Sequence, residues 1–213
     1  AVALIALDRL EDFKPQELVN TVWAFAKLKQ TAPKLLDVVA EIAVERSLSC
    51  FDPQNIANTV WAFAKLNHSA PYLFEGTAEI AVECCLRDFT PQGIANTVWA
   101  FAKLSYVAPS LFDAAAQTAV ERRLRGFNPQ DLANTVWAFA KLNHAAPKLF
   151  DAVAGLALER LSDFKLQELA STVWAFAKLK QTAPKLLDVV AEIAVERSLS
   201  CFDPQNIANT VWA

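Results

Sequence analysis

The chain has 213 residues, of which 54% are hydrophobic and 20% charged, and its formal net charge at pH 7 is −3. The apolar content is enough for a packed core and argues against intrinsic disorder. The slightly acidic balance argues against a protein that binds nucleic acid through bulk positive charge. No apolar run approaches the roughly 20 residues that a membrane helix needs, so we expect no membrane insertion.

A repeated motif organises the sequence. Its fullest form, FDPQNIANTVWAFAKL, runs from Phe51 to Leu66, and the tryptophans that mark its copies are separated by 38, 38, 38, 37 and 38 residues. These tryptophans are Trp23, Trp61, Trp99, Trp137, Trp174 and Trp212. A period in this range is typical of stacked supersecondary units. The sequence therefore predicts an all-α fold, an α-solenoid of tandem 37–38-residue helix-turn-helix (αα-hairpin) repeats.

The copies of the motif divide the chain into five full units and two partial ones. The predicted boundaries are 1–12 for the end of a preceding repeat, 13–50, 51–88, 89–126, 127–163 and 164–201 for repeats 1 to 5, and 202–213 for the start of a further repeat. We expect one continuous solenoid and a fragment of a longer protein. Residues 172–213 are identical to 21–62, which indicates either a recent duplication or an ambiguous register between the copies.

Each unit reads as two helices. Asp52 is a good N-cap, and Pro53 follows at the first helical position, where its missing N–H costs nothing. The first helix is predicted to end near Leu66, and Pro71 opens the second helix after a short turn. The fifth unit has Lys165 and Leu166 at the cap and first position, so we expect its first helix to have the weakest start. The shorter fourth unit lacks one residue after Glu159.

The helical wheel separates the faces of the two helices. In the first helix Ile56, Val60 and Phe63 fill a broad apolar arc, and Thr59 and Ala62 fall on the polar side. The second helix is apolar over most of its circumference and carries a narrow acidic stripe at every fourth residue. Examples are Asp37, Glu41 and Glu45; Glu75, Glu79 and Glu83; and Asp188, Glu192 and Glu196. We expect the polar side of the first helices on the concave surface and the acidic stripe on the outer surface.

One lysine recurs at the end of each first helix. The column consists of Lys27, Lys65, Lys103, Lys141 and Lys178. Stacked helices lie about 8–10 Å apart, so the ammonium groups would form a line of roughly 40 Å that could follow a phosphate backbone. The alternative is that each lysine is solvated and stabilises a helix C-terminus through the macrodipole.

Three further positions on the first helices carry open interpretations. A glutamine and an asparagine, as in Gln54 and Asn58, recur with little change, and we interpret them as a hydrogen-bonded ladder between units. The tryptophans either stack nucleotide bases or, the interpretation we favour, belong to the core. One polar position does vary between units, and it could read bases or simply tolerate any residue. It is occupied by Glu17, Asn55, Gly93, Asp131 and Glu168.

The sequence offers no support for catalysis. His68 and His144 occupy the same turn position in two units, and no repeating constellation of carboxylate, serine or cysteine accompanies them. The cysteines, such as Cys50 and Cys84, have neither disulfide nor metal-site spacing, and we expect small buried thiols. We therefore predict no enzyme, no catalytic residue, no metal, no cofactor and no small-molecule substrate.

The first-helix motif resembles that of the octotricopeptide repeat, a unit of about 38 residues. The resemblance rests on sequences such as FNPQDLANTVWAFAKL from Phe127 to Leu142, and similar heptatricopeptide and RAP-associated helical repeats are close in style. The Pro-Pro-Pro-Glu-Trp-like opening that this family usually has in its second helix is replaced here by Ala70-Pro71-Tyr72-Leu73-Phe74. The resemblance implies an α-solenoid that binds single-stranded RNA in a chloroplast or mitochondrion. It also implies a role in transcript stability, processing, translation or ribosome assembly.

Two functions follow as expectations. The first is binding of single-stranded RNA, with the lysine column on the backbone and the variable position on the bases. If each unit reads one base, the chain covers about five nucleotides. The alternative is a structural scaffold subunit of a large organellar assembly, whose solenoid surface contacts protein subunits.

Overall fold

The computed structural model describes residues 9–84 and 86–196 and confirms the all-helical repeat architecture. Within these ranges there are ten α-helices of 13 residues, three short 3₁₀ turns and no strand. The helices are α1 (Pro15–Lys27), α2 (Pro33–Glu45), α3 (Pro53–Lys65), α4 (Pro71–Glu83), α5 (Pro91–Lys103), α6 (Pro109–Glu121), α7 (Pro129–Lys141), α8 (Pro147–Glu159), α9 (Leu166–Lys178) and α10 (Pro184–Glu196). Odd-numbered helices are the first helices of the units, and even-numbered helices are the second.

The first helices start where their sequence places a cap. The side chain of Asp52 accepts a hydrogen bond of 2.7 Å from the backbone N–H of Asn55, and Pro53 takes the first helical position of α3. Thr90 caps α5 in the same way, accepting from the N–H of Gly93 at 3.0 Å. Because a cap satisfies a donor that the first turn leaves free, these contacts fix the helix start.

The core forms one layer between the first and second helices and continues between successive first helices. Val60 and Phe63 are completely buried, as the wheel predicts. The wheel placement of Thr59 and Ala62 on the polar side is wrong, since Thr59 is 2% exposed and Ala62 is fully buried. Within the described ranges α3, α5 and α7 each have a first helix on both sides, and small residues allow these backbones to approach closely. The Thr59 hydroxyl is satisfied by donating to the Asn55 carbonyl at 2.8 Å.

The two layers of the solenoid are spaced differently. Successive first helices pack closely along their length, whereas successive second helices are spread further apart. A stack in which one layer is tighter curves toward that layer. The first helices therefore lie on the inner side of the curve, as the sequence predicted, and shallow grooves open between the second helices.

The fourth unit is shortened at the predicted place. Six residues (160–165) connect α8 to α9, whereas seven (122–128) connect α6 to α7. The absent residue corresponds to Ser47 and Arg123, which have φ angles of 61° and 52°. The deletion thus removes a residue in the left-handed region, and the 3₁₀ turn Leu161–Asp163 follows Arg160 directly. The first unit keeps both, with the 3₁₀ turn Leu48–Cys50 after Ser47.

In several units an arginine side chain hydrogen-bonds to backbone carbonyl groups of the segment before the first helix, a feature that no sequence motif predicted. Arg122, just after α6, donates to the carbonyl oxygen of Phe89 at 2.7 Å and to that of Leu86 at 3.1 Å. Arg46 donates to the carbonyl of Phe13 in the same arrangement. These bonds join the end of the second helix to the segment before the first helix, and so satisfy carbonyl groups that no helix uses.

Candidate nucleic-acid interface

The lysine column lies on the inner layer, with one lysine as the last residue of each first helix. All members, Lys27, Lys65, Lys103, Lys141 and Lys178, are exposed. Among the described residues none of them forms an ion pair with a carboxylate. Each lies beside the C-terminal carbonyl groups of its helix, where the macrodipole favours a cation. The column is therefore free to contact an anion from outside the protein.

The tryptophans border this column at the edge of the core. Trp23 is 42% exposed, and Trp61, Trp99, Trp137 and Trp174 are half-buried at the edge of the core. Trp61, Trp99, Trp137 and Trp174 thus pack against the core, as preferred, but keep part of their surface exposed. The rings follow one another along the stack, since those of Trp99 and Trp137 have centroids 6.5 Å apart at an interplanar angle of 35°.

Lysine and tryptophan meet on this surface. The Nζ of Lys27 lies 4.9 Å from the centroid of Trp23 in its own helix and 5.2 Å from that of Trp61 in the next first helix. Tryptophan is the best aromatic partner of a cation at such distances. We call the two columns together the lysine–tryptophan strip. It comprises Lys27, Lys65, Lys103, Lys141 and Lys178 with Trp23, Trp61, Trp99, Trp137 and Trp174.

The variable position lies at the third residue of each first helix, where the structure engages its side chain in capping. Glu168 accepts a hydrogen bond of 2.8 Å from the backbone N–H of Lys165, and Glu17 accepts one of 2.8 Å from Lys14. In both units the cap is a lysine, which has no side-chain acceptor. This glutamate compensates for the weak start predicted for the fifth unit.

In the other units the cap supplies the acceptor, and the third residue changes accordingly. Asp52 accepts from the amide side chain of Asn55 at 3.0 Å as well as from its backbone, and Gly93 has no side chain to contribute. Asp131 accepts from the N–H of Asn128 at 3.1 Å. The variation between units therefore follows the identity of the cap. Contact of this position with a base stays a prediction.

Asp131 is the most buried of these side chains. It is 4% exposed, and burial raises the pKa of its carboxyl above the usual value of 3.8, although the hydrogen bond from the Asn128 backbone opposes the shift. The nearby charge of Glu168 raises the pKa further. A carboxylate in this position is costly because desolvation penalises its charged form.

The glutamine and asparagine columns do not form the predicted ladder. Gln54 and Gln92 are exposed, Asn58 and Asn96 are half-buried, and no hydrogen bond joins these side chains in the described ranges. They line a polar cleft of about 290 Å³ between α3, α5 and the start of α7. These amides thus remain available to solvent or a ligand on the inner layer.

The histidines have structural partners. The Nε2 of His68 lies 2.8 Å from the Oδ1 of Asp37 in the preceding unit, and His144 pairs with Asp113 at the same distance. The described residues contain no group of three histidine, cysteine or acidic side chains that could hold a metal ion. Cys50 is exposed, contrary to the expectation of buried thiols. Of the ten helices described, none has the length and apolarity to cross a membrane.

Comparison with known proteins places the chain in an RNA-related family. A search of curated protein sequences finds no match to the chain. The model of a protein family described as RNA-editing substrate-binding complex 6 protein matches residues 1–213, which is the whole chain. The match confirms an RNA-related helical-repeat protein, but it does not extend to octotricopeptide or RAP-associated repeats specifically. The chain belongs to the family of RNA-editing substrate-binding complex 6 (RESC6) proteins.

Proposed function

We propose that the chain binds single-stranded RNA along the lysine–tryptophan strip, as a subunit of an RNA-editing substrate-binding complex. The observation that carries this proposal is the alternation of cation and ring, shown by Lys27 between Trp23 and Trp61. Exposed lysines suit phosphate groups, and part-exposed aromatic rings suit unstacked bases. Single-stranded RNA presents both at regular intervals.

The acidic net charge is no obstacle to this proposal. The carboxylates of the second helices, such as Glu79, lie on the opposite layer from the strip. Those of the first helices, such as Glu17, lie about ten residues from the lysine end of the same helix, a separation of about 15 Å. Such a distance exceeds the Debye length of about 8 Å at physiological salt, so the strip keeps a locally positive potential.

The family match and the sequence resemblance both support a role in RNA metabolism. The family is named after a complex that binds an RNA-editing substrate, and the octotricopeptide-like motif resembles that of organellar RNA-binding solenoids. We place the protein in the mitochondrion, with which the family match is compatible; the match gives the chloroplast alternative no support. In this proposal the chain is a non-enzymatic subunit that needs no cofactor.

Titration of single-stranded RNA against salt tests the proposal. Five lysine–phosphate contacts predict a slope of log K against log salt concentration near −3.5, at about −0.7 per contact for single strands. Quenching of tryptophan fluorescence should accompany binding because bases would stack on the rings. A slope near zero, or binding without quenching, would contradict RNA binding on the strip.

The alternative is a scaffold whose inner surface contacts protein subunits. The family description favours it to the extent that it names a complex. Replacing both Lys103 and Lys141 by glutamine separates the two functions, because it removes cations without disturbing buried residues. RNA binding on the strip predicts that the variant assembles normally but loses RNA. Loss of assembly with unchanged RNA affinity would favour the scaffold.

A further inference from the structure

We propose that the groove between α4 and α6, on the outer layer away from the strip, binds a basic amphipathic helix of a partner protein. This outer groove has a volume of about 650 Å³, and its apolar lining includes Phe74, Val82 and Val107. Glu75, Glu79 and Glu83 line the α4 side. Neither α4 nor α6 contains a lysine or arginine.

One residue of the outer groove, Val107, is more apolar than its counterparts in the other units. Val107 is 76% exposed, whereas the same turn position holds Thr31, Ser69, Ala145 or Thr182 in the other units. Its neighbour Tyr106 stacks on Phe74 with ring centroids 4.5 Å apart. Exposing a β-branched apolar side chain in a solvated turn has no stabilising effect on the unit itself. Burial of the Val107 side chain under a bound partner would make that side chain stabilising.

The acidic stripe of α4 lacks the ion pair that two other units form. In two other interfaces the first carboxylate of the stripe pairs with a histidine of the next unit, as Asp37 does with His68 and Asp113 with His144. Tyr106 replaces that histidine here, so Glu75 has no ion pair among the described residues. Glu79 and Glu83 are likewise exposed and unpaired within the same ranges.

These features specify the chemistry of the occupant. The carboxylates follow one another at four-residue intervals, which on a helix is about 6 Å per step. A helix lying along the groove with lysine or arginine at the same interval matches them, and its apolar stripe covers Val107 and Val82. Single-stranded RNA does not suit this groove because its phosphates would face three carboxylates. The binding site thus serves a protein partner and is separate from the strip.

A synthetic peptide tests the groove with the full chain. The probe is a fluorescent helical peptide of about 14 residues, with leucines along one stripe and lysines at every fourth position beside it. Its matched control has glutamates in place of the lysines. We expect the basic peptide to bind, and its affinity to fall about tenfold in V107S and in E79K, because contact and charge complementarity are lost.

Control variants are available in other units of the same chain. A145S makes a comparable change at the turn of the fourth unit, and E192K reverses the equivalent charge on α10; both should leave the affinity unchanged. All four positions lie in turns or exposed stripes, and circular dichroism should report unchanged helicity. Saturating the strip with RNA should leave the affinity for the peptide unchanged. The two proposals can therefore fail separately: the groove can lack peptide binding while the strip binds RNA, and the groove can bind the peptide while the strip lacks RNA binding.

Several results would overturn the proposal. They are equal affinity for the acidic control peptide, no binding at about 1 mM peptide, or an equal loss of affinity in E192K. Sedimentation of the chain alone distinguishes another occupant. A dimer that V107S converts to monomers would show that the groove binds a second copy of this chain instead of a partner helix.

Discussion

Asn128 and Asp131 hold each other in place at the start of α7. The side chain of Asn128 accepts a hydrogen bond of 2.9 Å from the backbone N–H of Asp131, whose carboxylate accepts one of 3.1 Å from the backbone N–H of Asn128. This reciprocal pair is a capping box, and it satisfies two donors that the first turn would leave free. It explains why a position that varies along the repeat can still be under structural constraint.

The burial of Asp131 predicts an unusual pH dependence of stability. Its carboxyl pKa is raised in the folded protein by desolvation, so the folded state holds the proton to a higher pH than the unfolded chain does. The contribution of this group to the free energy of unfolding therefore falls as pH rises from 3.8 through the folded pKa. We expect D131N to remove this loss because asparagine does not ionise. Its side-chain oxygen can still accept the hydrogen bond from the Asn128 N–H. Denaturant unfolding of both proteins across this pH range measures the free energy of unfolding. The same pH dependence of that free energy in both would contradict the prediction.

The cap of the fifth unit can be tested by removing one acceptor. E168A leaves the backbone N–H of Lys165 without its partner, and we expect a loss of about 0.5–2 kcal/mol in the free energy of unfolding. Q167A, at the adjacent exposed position, should change stability little. Affinity for RNA oligonucleotides that differ at one base should be measured on both variants. A change in base preference in E168A alone would show that this position also reads the RNA.

Single lysines of the column should each contribute to the salt dependence of RNA binding. K103Q removes one phosphate contact, and the slope of log K against log salt should become shallower by about 0.7. K148Q removes an exposed cation from α8 on the outer layer and serves as the matched control. Equal effects of the two substitutions would mean that net charge, not the column, governs affinity.

The tryptophans should contribute to RNA affinity through stacking. W99L keeps an apolar side chain at the edge of the core but removes a ring, and we expect RNA to bind about tenfold more weakly. F101L, two residues further along α5, changes a ring that is 1% exposed and therefore unable to meet RNA. It should lower the melting temperature while leaving RNA affinity unchanged. The opposite pattern would place the RNA elsewhere.

The guanidinium of Arg122 should stabilise its unit. R122A leaves the carbonyl group of Phe89 without its donor and removes one of the two donors to that of Leu86. We therefore expect a loss of about 1–3 kcal/mol in the free energy of unfolding. R123A changes the next residue, which is exposed, and should have a much smaller effect. Thermal unfolding of the two variants makes the comparison, and equal melting temperatures would rule out a structural role for this bond.

Local signals predicted much of this architecture correctly. The spacing of the tryptophans predicted the period, Pro53 after Asp52 predicted the start of α3, and the shorter exit after Glu159 predicted the place of the deletion. Each of these depends on residues adjacent in sequence, whose preferences act within one turn. The wheel was wrong for Thr59 and Ala62, which it placed on the polar side and which are buried. A single helix does not reveal that it is packed on both sides, or where that packing ends.

The sequence by itself determined the all-helical repeat, its helix starts and the position of every lysine in the column, because period, capping and proline act locally. Only the tertiary structure decided what those residues meet. It brought Lys27 against Trp61 from the next unit and directed the variable side chains to the caps. It also left Val107 exposed beside unpaired carboxylates. The physical reason is that a contact such as that of Lys27 with Trp61 joins residues 34 positions apart, and its geometry depends on how closely whole helices approach. The choice between a cap and a ligand for a polar side chain likewise depends on its three-dimensional surroundings.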